Sequence, residues 1–180
     1  DDIDSFLNPT LNDYRLDPFL LNDMEKAVER IVQAIKDKDK IMIFWDYDVD
    51  GVTSSYILYE FITRYLKYKN VSIQYPDRIK DGYGLKIKHI DDIHQKWVKV
   101  IITVDNGIAA NNEAKYAKEK GIDLIITDHH QDLEEIPQAY AVVNPQISPK
   151  YTFKGLAWVG VTFKLICALL TKSTLEQAQK

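Results

Sequence analysis

Asp46-Tyr47-Asp48-Val49-Asp50-Gly51 follows Ile41-Met42-Ile43-Phe44-Trp45, and this junction decides how the rest of the chain is read. A short apolar run rich in Ile reads as a strand buried on both faces. Carboxylates set directly after such a strand are costly without a partner. The pattern occurs twice more: Asp105-Asn106-Gly107 follows Val100-Ile101-Ile102-Thr103-Val104, and Asp128-His129-His130 follows Leu124-Ile125-Ile126-Thr127. In an open α/β sheet, ligands bind beyond the carboxyl ends of the strands. Three strands ending this way gather Asp46, Asp48, Asp50, Asp105 and Asp128 with two imidazoles at one edge. Like charges so close repel and raise one another's pKa. A pair of divalent ions resolves the conflict, and mixed carboxylate and imidazole donors suit Mn²⁺ or Mg²⁺ better than a thiolate site would.

Strand and helix patterns alternate outward from these runs. Asp17-Pro18 or Asn22-Asp23 can cap a helix with the apolar stripe Met24, Ala27, Val28, Ile31, Val32 and Ile35. The first strand spans about 40–46. A helix over 53–68 turns Tyr56, Ile57, Tyr59, Phe61, Ile62 and Leu66 mostly inward. A strand at 71–75, a loop at 76–84, a helix at 86–95 and a strand at 98–104 follow. Asn111 or Asn112 caps the next helix, which stops at Gly121, a good left-handed terminator. Strands at 122–127 and 141–143 precede a nearly all-apolar, hence buried, helix over 155–171. The fold class is therefore α/β, a mostly parallel sheet with helices on both faces. Residues 1–16 lack a period and read as an extended lead-in, with one domain over 17–180.

The 180 residues suit one domain with a real core. Lys and Arg total 23 against 27 Asp and Glu, a net charge of −4, which does not announce a nucleic-acid binder. Two divalent ions would bring that balance to about neutral. Cys167 is the only cysteine; its apolar context reads as core, and no disulfide can form within the chain. A reducing compartment follows. The acidic start, Asp1-Asp2-Ile3-Asp4, is not a signal peptide. The apolar stretch over 156–170 is interrupted by Lys164 and is too short to span a bilayer. A cytoplasmic protein without a membrane partner fits these features.

Asp46, Asp48 and Asp50 alternate, so a pleated strand would put them on one side, and a loop could wrap them around an ion. Gly51 lets the chain turn sharply into the helix. An EF-hand reading fails, because position 57, where a bidentate Glu is needed, holds Ile57. Asp105 alone is weak evidence, and Asn106-Gly107 supplies a turn. His129 and His130 are adjacent, so their side chains diverge; one can bind metal while the other reaches substrate. Asp128 can either ligate metal or orient His129.

In this order and spacing the runs resemble the DHH phosphoesterase superfamily, and more closely its RecJ-type single-strand-specific exonucleases. Supporting segments are Asp46 to Ser54, Tyr75-Pro76-Asp77-Arg78 with Gly82-Tyr83-Gly84, Thr103 to Gly107, Thr127 to His130, Val143-Asn144-Pro145 and Gly155 to Leu165. The resemblance runs from about Phe6 to Leu170. It implies two divalent ions, Mn²⁺ or Mg²⁺, on Asp46, Asp48, Asp50, Asp105 and His129, with Asp105 bridging. It implies Asp105, His129 and His130 as the catalytic set, and His130, Arg78 and Tyr83 on the substrate. The implied activity is 5′→3′ hydrolysis of single-stranded DNA to nucleoside 5′-monophosphates, with a single-strand-binding protein or a helicase as a plausible partner.

Other members of the superfamily cleave pyrophosphate, polyphosphate, short oligoribonucleotides or cyclic dinucleotides, and a non-catalytic scaffold in a replication complex is another alternative. Asp48-Val49-Asp50-Gly51-Val52-Thr53 also resembles the nucleophile motif of haloacid-dehalogenase-like phosphatases, a reading that leaves the histidines idle. The family has a fourth motif with another Asp, and no Asp follows Asp132 here, so the expectation is a catalytic domain cut before that motif and a second domain. Trp158 stands where the resemblance leads us to expect a small residue.

Overall fold

The computed structural model describes residues 3, 7, 8, 16–77, 79–131 and 135–178, with the backbone alone over 173–178. In chain order the elements are α1 (Met24–Asp37), β1 (Lys40–Trp45), α2 (Val49–Glu60), β2 (Val71–Gln74), α3 (Ile87–Gln95), β3 (Val98–Val104), α4 (Asn111–Glu119), β4 (Asp123–Thr127), β5 (Ala141–Val143) and α5 (Trp158–Ala178). The five strands form one parallel sheet in the order β2-β1-β3-β4-β5.

The twofold period of the strands sorts their side chains into two cores. Ile41, Ile43, Val100, Ile102, Val104, Ile125 and Val143 face one side, where α1, α2 and α5 bring Ala27, Ile31, Leu58, Leu165 and Leu169. Met42, Phe44, Ile101, Leu124, Ile126 and Val142 face the other, where α3 and α4 bring Ile90, Ile93, Ala114 and Ala117. Each fully buried Ile or Leu contributes about 1.5–3 kcal/mol relative to exposure. Ile102→Ala, at a fully buried site, costs about 2–5 kcal/mol.

From β1 the chain passes outward to β2 and returns to β3 on β1's other side. That reversal is a topological switch point, and it leaves a crevice beyond the carboxyl ends of β1 and β3. Two side chains hold this edge together. Buried Asn106 donates from Nδ2 to the carbonyls of Val104 (3.0 Å) and Phe44 (3.4 Å), tying β3 to β1. Thr127 Oγ1 donates to the Thr103 carbonyl (2.6 Å), tying β4 to β3.

Several boundaries differ from the sequence reading, each for a local reason. Helix α2 begins at Val49, inside the acidic run, because Asp48 is its N-cap and accepts the Gly51 N–H at 2.8 Å. Gly51 therefore lies in the first helical turn and is not a pivot; a Cβ there would meet the Asp46 carbonyl oxygen at 2.2 Å. Tyr56 is exposed, and a π-type turn, Phe61–Tyr65, closes the helix. Neither Asn111 nor Asn112 caps α4, whose N-cap position is Ala110. Asp17 caps a short 3₁₀ turn, Pro18–Leu20. Asp23 precedes α1 and its carboxylate accepts the Val142 N–H at 3.0 Å. Helix α5 starts at Trp158, not Gly155; its Phe163 is exposed and Cys167 half-buried, so it is less enclosed than its composition suggests. Most of the lead-in over 1–16 lies outside the described residues.

Candidate metal centre

The three motifs meet at the switch point. Asp46 is buried at the end of β1, Asp48 caps α2, and Asp50 sits in the first turn of α2. The positive end of the α2 dipole thus faces the two carboxylates beside it. Asp46, Asp48 and Asp50 do not alternate along a strand, because the strand stops at Trp45.

Asp105 follows β3 with a φ of +65°, a left-handed conformation that Asp tolerates better than most residues. Both carboxylate oxygens are buried, and neither has a donor among the described residues. The Asp48 carboxylate is close enough to oppose its ionisation. Burial, then Asp48, then Asp128 and Asp50 push the Asp105 carboxyl up to about 9. Burial also raises Asp48, but the Gly51 N–H, Asp105, the Asp50 N–H and His130 outweigh it and leave Asp48 below the usual carboxylate range.

Asp128 is buried and fully engaged. Its Oδ2 accepts the Ile108 N–H (2.9 Å); its Oδ1 accepts the N–H groups of His129 (2.7 Å) and His130 (3.1 Å) and the His130 ring at Nδ1 (3.0 Å). Asp128 thus orients the His130 ring, where the sequence had left open a metal ligand or a partner for His129. His129 instead donates from Nδ1 to the Leu156 carbonyl (2.5 Å). A carbonyl only accepts, so Nδ1 carries the proton and Nε2 keeps the lone pair, the arrangement usual for metal-binding imidazoles. Asn144, which the sequence marked only as part of a matching segment without a role, donates from Nδ2 to the His130 carbonyl (3.0 Å) and steadies the loop.

Tyr83 closes the other side. Its hydroxyl donates to the Asp105 carbonyl (3.1 Å) and lies 3.4 Å from His130 Nδ1. Burial and the nearby Asp128, Asp105, Asp46 and Asp48 push its pKa well up, so it stays a phenol. Its loop is anchored by Asp81, which accepts from the Asp77 N–H (2.8 Å), from buried His89 (3.0 Å) and from Lys88. The backbone N–H of Lys86 donates to the other His89 nitrogen (3.1 Å), which assigns the ring proton to the one facing Asp81. A cleft of about 370 Å³ opens beside His130, lined by Tyr83, Leu85, Lys86, Ile108, Glu113 and Asp128 among others. Arg78 lies outside the described residues.

Among the described residues, no three His, Cys, Asp or Glu side chains are already closed around one point that could hold an ion. Carboxylates that repel one another hold apart until a cation draws them in. The donor chemistry fits a hard divalent ion: oxygen ligands, one imidazole with a free Nε2, and a buried carboxylate lacking donors.

Comparison with known proteins agrees with this geometry. Residues 40–180 match the N-terminal domain of the DHH family. The single-stranded-DNA-specific exonuclease RecJ of Bacillus subtilis (strain 168) is 48% identical over 155 residues, which cover 86% of this chain and 20% of that protein. The exonuclease of the same name from Escherichia coli (strain K12) is 38% identical over 152 residues, 84% of this chain and 26% of that protein. A crystal structure of exonuclease RecJ bound to manganese superposes with a TM-score of 0.79 at 28% identity, over 88% of this chain and 40% of that one. RecJ from Thermus thermophilus in complex with Mn²⁺ gives 0.72 at 26% identity, over 86% of this chain and 22% of that one. The chain thus spans about a fifth to a quarter of the length of these two curated relatives. No helix among the described residues is long and apolar enough to cross a membrane. A match that runs from the first strand through the last helix, on a sheet whose ends bring the three motifs together, makes this chain a member of the DHH family.

Proposed function

We propose that this chain is the catalytic domain of a metal-dependent phosphodiesterase, a 5′→3′ exonuclease that hydrolyses single-stranded DNA to nucleoside 5′-monophosphates. The observation that carries the reading is Asp105: a buried carboxylate at positive φ, without a donor among the described residues, set among carboxylates at a switch point. Nothing in the fold requires so costly a group, whereas a cation would turn it into a ligand. The names of the relatives support the substrate.

Asp46, Asp48, Asp50, Asp105 and His129 would hold two divalent ions, Mn²⁺ or Mg²⁺. When bound, such ions supply charge neutralisation and acidify water to a pKa of about 7. The remaining work falls to the protein. His130, with Asp128 at Nδ1, is oriented to offer Nε2 to a non-bridging oxygen of the scissile phosphate. Asp128 stabilises positive charge on that ring as charge builds on the phosphate. Tyr83 offers a ring for stacking beside the phosphate and a hydroxyl that braces the Asp105 backbone. Arg78, a few positions before Tyr83 in sequence, would supply a planar fork for phosphate. The substrate must be single-stranded, and a helicase or a single-strand-binding protein would supply it. One half-buried cysteine suits a cytoplasmic, reducing setting.

The test is Mn²⁺-dependent release of label from 5′-labelled single-stranded DNA, with duplex DNA, short RNA and pyrophosphate as competitors. Release of mononucleotides that is lost in Asp105→Ala supports the reading. Hydrolysis of short RNA or pyrophosphate alone overturns the DNA assignment while leaving the family intact.

A further inference from the structure

Trp158 sits at the site and has been given no role. It is the first residue of α5, and its indole packs against both motif histidines. The ring centroids lie 3.3 Å from His129 at an interplanar angle of 37°, and 4.0 Å from His130 at 62°. The two imidazoles stand edge-on to each other, 5.6 Å apart at 86°. The indole thus lies in contact with both imidazoles.

The hydrogen bonds alone do not determine where the imidazoles point. Each ring is held through Nδ1, His129 by the Leu156 carbonyl and His130 by Asp128. With one nitrogen held, the ring can still swing through small changes in its side-chain torsions, the last of which is broad in His. Both histidines follow β4 on irregular backbone. A flat indole against one face of His129 and against the edge of His130 removes the swing. Leu156 and Trp158 are two positions apart, so one short segment presents both the carbonyl and the plane.

We infer that Trp158 is a positioning residue, an aromatic shelf that sets the directions of Nε2 in His129 and His130. Through His129 it acts on ion binding, and through His130 on the phosphate. This inference rests on the metal-centre reading above. It accounts for a bulky side chain where a small one was expected, since a small residue would leave both rings free on that side.

Trp158→Leu and Trp158→Phe, made in the 180-residue chain, test it. Leu keeps bulk at this half-buried position without a plane; Phe keeps a plane. The first readout is metal-free: NMR of the carbon-bound ring protons of His129 and His130. The indole ring current displaces these resonances upfield in the wild type. Trp158→Phe retains part of that displacement and Trp158→Leu loses it. The second readout is Mn²⁺ affinity by calorimetry. Changes in groups that orient a metal-binding imidazole weaken affinity about 10–100-fold, the loss expected for Trp158→Leu, with Trp158→Phe staying within about threefold of wild type. A Leu variant that binds Mn²⁺ as tightly as wild type, or a Phe variant that loses as much as Leu, overturns the inference. A wild type that fails to bind Mn²⁺ counts against the metal centre itself. The NMR arm still judges the shelf in that case, and absence of the upfield displacement refutes it.

Discussion

Asp105→Asn makes the metal-free protein more stable and the metal-loaded one less so. The carboxyl titrates at about 9 in the folded, metal-free chain and near its ordinary 3.8 when unfolded. Between those values the folded state binds the extra proton. Stability therefore falls as pH rises, by about 1.4 kcal/mol per pH unit for one such group. The fall begins near the unfolded value and ends once pH passes the folded one. At pH 7 the roughly 3.2 pH units above 3.8 amount to about 4 kcal/mol, or about 2 kcal/mol once screening by water at the open mouth is allowed for. Asn is nearly isosteric, stays neutral, tolerates the left-handed φ and can donate to Asp48. The assay is urea unfolding in EDTA, followed by tryptophan emission between about pH 5 and 8. Asp105→Asn should exceed wild type by about 2–4 kcal/mol at pH 7 and show a flatter pH profile. Mn²⁺ at a hundred times its dissociation constant then adds about 2.7 kcal/mol to wild type and much less to the variant. A variant no more stable than wild type in EDTA, or an unchanged pH profile, refutes the reasoning.

Three further perturbations reach other parts of the site. Gly51→Ala drives a Cβ to 2.2 Å from the Asp46 carbonyl oxygen, so it should cost about 3 kcal/mol, the upper end for overpacking, and weaken Mn²⁺ binding; denaturant midpoints and calorimetry check both. Asp81→Ala releases the Tyr83 loop from His89 and Lys88, so KM for single-stranded DNA should rise several-fold with kcat nearly constant; an equal fall in kcat would mean that the loop is needed for chemistry. Arg30 clamps Asp39 (2.9 Å) and Asp123 (2.5 Å), joining α1 to the sheet, and Arg30→Leu should lower stability by about 1.5–3 kcal/mol in chemical unfolding without changing Mn²⁺ affinity.

What could be read in advance has a common physical origin. Buried parallel strands leave long β-branched runs, and a site at strand ends leaves its polar residues directly after them. Hence β1, β3 and β4, and the acidic and histidine residues that follow them, were legible. The start of α2 was not, because Asp48 serves at once as a site residue and an N-cap, and a cap pulls the helix back into the motif. Asn106 read as a turn residue, yet its amide crosses to Phe44, 62 positions away in sequence. Asn144 to His130 and Asp81 to His89 are likewise side-chain contacts between different segments, 14 and 8 positions apart. Such contacts leave no periodic trace. Trp158 stood out only as an oversized residue; its two ring partners emerge once α5 is placed over the end of β4.

The most direct test of the metal centre is a crystal of this chain grown with Mn²⁺, with an anomalous difference map at the manganese edge. The account predicts the strongest peak within about 2.0–2.3 Å of an Asp105 carboxylate oxygen and of His129 Nε2, with the Asp46, Asp48 and Asp50 carboxylates drawn toward it. A map without a peak there, or with manganese held elsewhere while Asp105 keeps its proton against Asp48, would contradict it.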